Sequence, residues 1–214
     1  MKPASSERIN RESSGMKQIT SKIAIMAIFA TCAATKLSAE ESLPIRNCTW
    51  CHGSSAQGFA NAPRIAGQTH KYIESSLLSF KSHVRDNPYS KQFMWGAAAN
   101  LTKEMAHGFA VYFSELPPSA ANDGNGTLTD EGRSIYVEGI PQSNVVSCIV
   151  CHGPNAEGFE GIPRLGGMGY DYLKRRLEQW NEGYHAAAEP MPRIAKRLSA
   201  SEIEALASYL SFVK

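Results

Sequence analysis

Cys48-Thr49-Trp50-Cys51-His52 returns later in the chain as Cys148-Ile149-Val150-Cys151-His152. Two thiols three positions apart on one turn suit thioether bonds to the two vinyl groups of a single porphyrin. The next side chain, His, then lies beneath the ring as an iron ligand. C-x-x-C-H therefore reads as c-type haem attachment, and its recurrence implies two covalently bound haems. Three other chemistries use the same residue types. A zinc site built from all four thiolates leaves both histidines unexplained. A thioredoxin-like redox site wants a βαβ context, and no strand pattern follows either motif. A disulfide closed within C-x-x-C is strained and labile.

The repetition extends well beyond the motifs. Residues 48–80 laid over 148–180 share 12 identities in 33 positions without a gap, including Gly53/Gly153, Gly58-Phe59/Gly158-Phe159, Pro63-Arg64/Pro163-Arg164, Gly67/Gly167, Tyr72/Tyr172 and Leu77/Leu177. After an offset change of three residues the match resumes, with Met94–Phe113 over Met191–Leu210. Between the copies, Glu115–Thr127 carries Pro117-Pro118, Asn122, Gly124 and Gly126, the composition of a linker. The division expected is residues 40–116 and 128–214 as two small domains, joined by residues 117–127.

Periodicity points to helices alone. Ser199 is placed to cap a helix, with Glu202 at its third position and Ile203, Leu206, Ala207 and Leu210 on one face. The first copy offers Thr102 as cap, with Ala106, Phe109, Ala110 and Phe113 at the matching places. Ile73, Leu77 and Phe80 follow helical spacing, as do Leu173, Leu177 and Trp180, and no run alternates as a strand does. The chain is expected to be all-α. Each half has a small core that a covalently held apolar macrocycle would complete.

Haem iron in an electron carrier needs a ligand opposite the histidine, and a thioether raises the reduction potential relative to a second imidazole. Met94 and Met191 occupy equivalent places in the repeat, each just before the terminal helix. Met105 and Met168 align with Glu202 and Gln68, which makes them core filler. Pro190 and Pro192 flank Met191 and are expected to hold it extended. The expected metal ligands are thus His52 with Met94 and His152 with Met191. Among the other histidines, His107 aligns with Glu204 on a polar face and reads as solvated, while His83 and His185 align with Gly183 and Arg85. Pro63 and Pro163 are candidates to accept from the ligand imidazole N–H, and Arg64 and Arg164 to pair with haem propionates.

The chain has 214 residues and a formal net charge of +2, but the charge is unevenly placed. Residues 1–39 hold six basic residues against Glu7 and Glu12, and Lys17 and Lys22 precede the apolar run Ile23–Ala34. That is the pattern of an export signal, too short to span a bilayer permanently, with Ala39 a suitable residue before the cut. Thr31 before Cys32 matches a lipoprotein signal poorly. Residues 40–118 carry 7 basic and 6 acidic residues, and residues 119–214 carry 9 and 12. No basic surface suited to nucleic acid remains.

These residues resemble the di-haem class I cytochromes c, in particular the cytochrome c4 type. The resemblance rests on C-x-x-C-H-G, Gly58 and Gly158, Pro-Arg-x-x-Gly before a Tyr-bearing helix, and Met, then Leu-Ser/Thr, before an amphipathic terminal helix. It spans about residues 45–114 and 130–213. It implies two tandem cytochrome c domains, each a small helical fold around one haem. It also implies a periplasmic carrier of single electrons in a respiratory chain, without substrate chemistry of its own. Quinol-oxidising complexes or dehydrogenases are the donors so implied, and terminal oxidases or reductases the acceptors, with peripheral association at the membrane compatible. A second role is the cytochrome c subunit of a periplasmic dehydrogenase complex. One departure stands out. Asp130–Glu138, with Gly132 and Tyr136, supplies the N-terminal helix of the second copy, whereas Glu40–Asn47, with Pro44, leaves that of the first shortened or missing.

Overall fold

A computed structural model describes residues 43–59 and 61–214. The expected export signal, Cys32 and the cut after Ala39 lie outside the described residues. In chain order the α-helices are α1 (Ile45–His52), α2 (His70–Lys81), α3 (Trp95–Ala98), α4 (Lys103–Glu115), α5 (Thr129–Glu138), α6 (Ile149–His152), α7 (Tyr170–Asn181), α8 (Met191–Ala195) and α9 (Ala200–Phe212). A π-helical turn, Ser90–Met94, runs into α3. Among the described residues, extended pairing is confined to isolated bridges, two of which are equivalent: Phe59 with Ala62 and Phe159 with Ile162.

Local chemistry sets the helix starts. Ser199 accepts from the Glu202 amide while the Glu202 carboxylate accepts from the Ser199 amide at 2.7 Å, a reciprocal capping box that opens α9. Thr102 opens α4 by accepting from the Met105 amide at 3.1 Å. The faces expected to be apolar are the buried ones: Ala106, Phe109, Ala110 and Phe113 on α4, and Ile203, Leu206, Ala207 and Leu210 on α9. Met191 departs from expectation. It is the first residue of α8 rather than part of an extended segment, with Pro192 in the first helical turn. Proline is tolerated there because the amide it lacks has no partner within the helix.

Two apolar clusters form, and they are unequal. The first buries six residues, among them Ile73, Phe109 and Phe113. The second buries fourteen, adding Ile135 and Tyr136 from α5 to the matching residues of α7 and α9. Helix α5 makes the difference. It lies so close on α9 that a Cβ at Gly132 would collide with the Ala205 carbonyl. The Tyr136 and Tyr209 rings meet at a tilt, with centroids 5.7 Å apart. Among the described residues the first copy has no such helix, since the chain passes from Leu43 through Pro44 directly into α1. Leu43 leans on Gly108, the counterpart of Ala205. Val111 and Tyr112, counterparts of buried Ser208 and half-buried Tyr209, stay exposed.

The copies are joined by a polar seam. The Gln68 side chain pairs with the Arg164 backbone in both directions, donating to its carbonyl at 3.0 Å and accepting from its amide at 2.7 Å. Arg64 donates to the Gly167 carbonyl, and Arg175 donates to Asn61 at 3.1 and 3.0 Å. Buried Arg85 donates to Tyr72 at 3.2 Å and to Tyr172 at 2.9 Å, joining the two equivalent tyrosines. Arg176, also buried, donates to Gln179 at 2.7 Å and lies 3.4 Å from the His185 ring. Residues 117–127 are fastened to both copies: Pro117 accepts from Gln57 at 2.8 Å, and Gly124 donates to Ser211 at 3.0 Å.

Two outcomes follow from this packing. Gly132→Ala is expected to cost about 2–3 kcal/mol in equilibrium unfolding. Gly96→Ala, at a helical glycine with nothing within 4 Å of the added methyl, is expected to change stability by no more than about 1 kcal/mol. The second outcome concerns pH. Burial, then the charges of Arg85 and Arg176, push His185 from its usual 6.5 down to about 4, with Asp86 opposing. The unfolded chain therefore takes up a proton that the folded one refuses. The contribution is complete above pH 6.5 and is lost as pH falls towards 4. Denaturant unfolding across that range should show a shallower acid loss in His185→Asn than in the parent.

Candidate haem sites

Each C-x-x-C-H motif ends its helix at a glycine that turns the chain sharply: Gly53 at φ 84° after α1 and Gly153 at φ 84° after α6. The chain then folds back on itself. The Gly58 amide donates to the His52 carbonyl at 2.8 Å, and Gly158 donates to His152 at 2.8 Å. Gly58 (φ 86°) and Gly158 (φ 74°) let the following segment pass at close range, since a Cβ would lie 2.9 Å and 2.5 Å from the Arg64 and Arg164 amides. This is why the repeat keeps glycine at these two places.

The close approach brings a carbonyl to each imidazole. His52 Nδ1 donates to the Pro63 carbonyl at 2.6 Å, and His152 Nδ1 donates to the Pro163 carbonyl at 2.9 Å. A carbonyl accepts only, so the proton sits on Nδ1 and the lone pair of the neutral ring is on Nε2, where a metal binds. Both rings are buried, and burial holds each below the usual histidine range against the opposing pull of the proline carbonyl. They stay unprotonated and ready to ligate.

All four thiols are free. Burial, reinforced by Cys51, pushes Cys48 up to about 11. Burial likewise pushes Cys148 up to about 11. Neither is a thiolate near neutral pH, which disfavours thiolate redox chemistry. The four thiols form no common metal cluster among the described residues, so the four-cysteine zinc alternative has no site.

The remaining candidates are placed as follows. Met94 ends the π-helical turn, half-buried, and Met191 opens α8 against the second apolar cluster. Met168 is buried in that cluster, and Met105 packs on the first. Arg164 donates through Nε to the Gly166 carbonyl at 3.0 Å. Arg64 engages Gly167 through Nη1, while its buried Nε has no partner. The buried Arg85 Nε and Trp180 Nε1 also lack one. Burial, then the charge of Arg85, pushes Arg176 down to about 10. Buried cations with idle N–H groups call for anions. Ligand-ready imidazoles, free thiols and these cations together fit porphyrins bearing carboxylates.

Reading the sequence missed this second set of groups. Arg85, Arg176 and His185 do not repeat between copies and gave no signal. Tyr72 and Tyr172 do repeat, but the repeat alone does not show that one arginine joins them.

Comparison with known proteins agrees with the geometry. The family model for cytochrome c matches residues 129–214. A cytochrome c4 from Thiocapsa roseopersicina is 33% identical over 172 residues, covering 76% of this chain and 85% of its own. The thiosulfate dehydrogenase electron acceptor of Stutzerimonas stutzeri (strain A1501) is 32% identical over 173 residues, covering 78% of each chain. The solved cytochrome c4 of Acidithiobacillus ferrooxidans superposes with a TM-score of 0.73 at 29% identity, covering 78% of this chain and 98% of its own. With two attachment motifs, two ligand-ready imidazoles and these relatives, the chain belongs to the cytochrome c4 family of di-haem electron-transfer proteins.

Proposed function

We propose that the chain is a periplasmic carrier in which His52 with Met94 and His152 with Met191 hold the two irons. Cys48 and Cys51 anchor one haem, and Cys148 and Cys151 the other. The two domains are residues 40–116 and 128–214, joined by 117–127, and residues 1–39 direct export. Among the described residues, no helix is long and apolar enough to cross a membrane. The observation that carries the reading is the His–Pro hydrogen bond formed alike in both copies, at 2.6 and 2.9 Å.

Bound haem supplies a one-electron iron couple. The protein's own residues determine how that couple is held. Pro63 and Pro163 fix the imidazole tautomer and make the ring a stronger donor. A thioether supplied by Met94 or Met191 would favour the reduced iron. Held by a histidine and a methionine of the chain, each iron would pass electrons without binding a substrate. The charges of Arg64, Arg85, Arg164 and Arg176 suit propionates.

The donor is a quinol-oxidising complex or dehydrogenase, and the acceptor a terminal oxidase or reductase. Residues 119–214 carry 12 acidic and 9 basic residues, which suits a basic partner surface. Glu157 and Glu160 follow the second motif; Glu160 is offset by its pairing with Lys71, while Glu157, which accepts from the Asn155 amide at 2.8 Å, keeps its charge. A second reading, the cytochrome subunit of a dehydrogenase complex, draws on the relative that accepts electrons from thiosulfate dehydrogenase and on the exposed Val111 and Tyr112 of α4. Co-purification with a catalytic subunit distinguishes this role from that of a free carrier.

The oxidised protein should show the far-red methionine–iron band. Met191→His and Met94→His should each remove about half its intensity and lower one midpoint potential. A band unchanged in either variant refutes that ligand. Electron transfer to a basic partner should slow as salt rises from 10 mM to about 0.5 M; a rate independent of ionic strength refutes the acidic docking surface.

A further inference from the structure

Away from both motifs, one set of metal-donor side chains converges among the described residues: His70 and Glu74 on α2, and His107 on α4. His70 and Glu74 are one helical turn apart on α2, and α4 packs against that helix and supplies the third donor. The Glu74 carboxylate oxygen is shared, 3.6 Å from His70 Nε2 and 3.2 Å from His107 Nδ1. The two imidazoles meet edge to face, with centroids 4.9 Å apart. His107 is exposed, but it is not simply solvated as its helix position suggested.

Two further observations point to a ligand. His70 Nε2 is a buried nitrogen without a hydrogen-bond partner, directed at a carboxylate just beyond hydrogen-bond range. The second copy supplies the other. The positions equivalent to His70, Glu74 and His107 are Tyr170, Lys174 and Glu204. There the Lys174 ammonium bonds Glu204 at 2.5 Å and lies 6.0 Å from the centre of the Tyr170 ring. That corner of the second copy thus contains its own cation, covalently attached, tying α7 to α9. The first copy has exchanged the lysine for a carboxylate and gained two imidazoles.

We propose that His70, Glu74 and His107 bind a divalent transition-metal ion of the zinc class, which ties α2 to α4 as Lys174 ties α7 to α9. Two imidazoles and one carboxylate favour zinc, copper or nickel over calcium or magnesium. The three donor atoms lie within 4.8 Å of one another. A tetrahedral zinc site requires about 3.3 Å between donors, given bonds of about 2.0 Å. His107, with a side chain 58% exposed, is the donor with room to adjust towards that spacing. Three protein donors leave a fourth position for water.

The test is calorimetric titration of chelator-stripped di-haem protein with zinc sulfate. The parent should bind one zinc per chain saturably, with a rise in melting temperature. His107→Gln should weaken binding at least about tenfold and abolish that rise. Glu74→Gln should behave likewise. His83→Gln, whose ring stacks on Trp95 at 3.9 Å, should bind as the parent does. Unchanged haem absorption bands show that each variant is folded. Absence of saturable zinc binding to the parent, or parental affinity in His107→Gln, overturns the assignment.

Discussion

The bond from each ligand imidazole to a proline carbonyl constrains everything around it. It fixes which nitrogen is free to meet a metal, and it forms where the chain doubles back at Gly58 or Gly158 closely enough to exclude a side chain. The turn in turn needs the motif helix to stop at Gly53 or Gly153. A segment of about a dozen residues is thereby committed to one backbone path by a single ring that must be held neutral and oriented. The terminal helices α4 and α9 back this arrangement without entering it, and their sequences drift apart accordingly.

The seam between the copies obeys a different constraint. Two buried arginines, Arg85 and Arg176, sit among tyrosine hydroxyls and amides, with Asp86 as the acid nearby. An arrangement of this kind is costly when its N–H groups are idle and favourable when anions meet them. At this joint the hydroxyls of two equivalent tyrosines meet a single guanidinium, so the halves are tied together through Arg85.

Much of this was legible because it repeats. C-x-x-C-H, Pro-Arg and the apolar faces of α4 and α9 are local patterns written twice, and each copy checks the other. The capping box at Ser199 and Glu202 is a short-range signal of the same kind. What escaped reading was non-local or unique to one copy. Prolines on both sides of Met191 suggest an extended chain because proline is forbidden inside a helix, yet it is permitted in the first turn, which is where Pro192 lies. Arg85 and His185 align with each other, so neither marks a repeated site. In space they belong to one cluster, brought together by a fold that no spacing encodes.

The uneven coverage of the two terminal helices bears on how the molecule comes apart. Helix α9 is clamped beneath α5, while α4 carries Leu43 across Gly108 and shows Val111 and Tyr112 to solvent. Local opening takes the least-buried cooperative unit first. The first half, whose terminal helix is the less covered, is then expected to open before the second. Two sites encoded by nearly the same motif thus sit on unequally buried supports, and a chain that repeats itself in sequence is not symmetric in its packing.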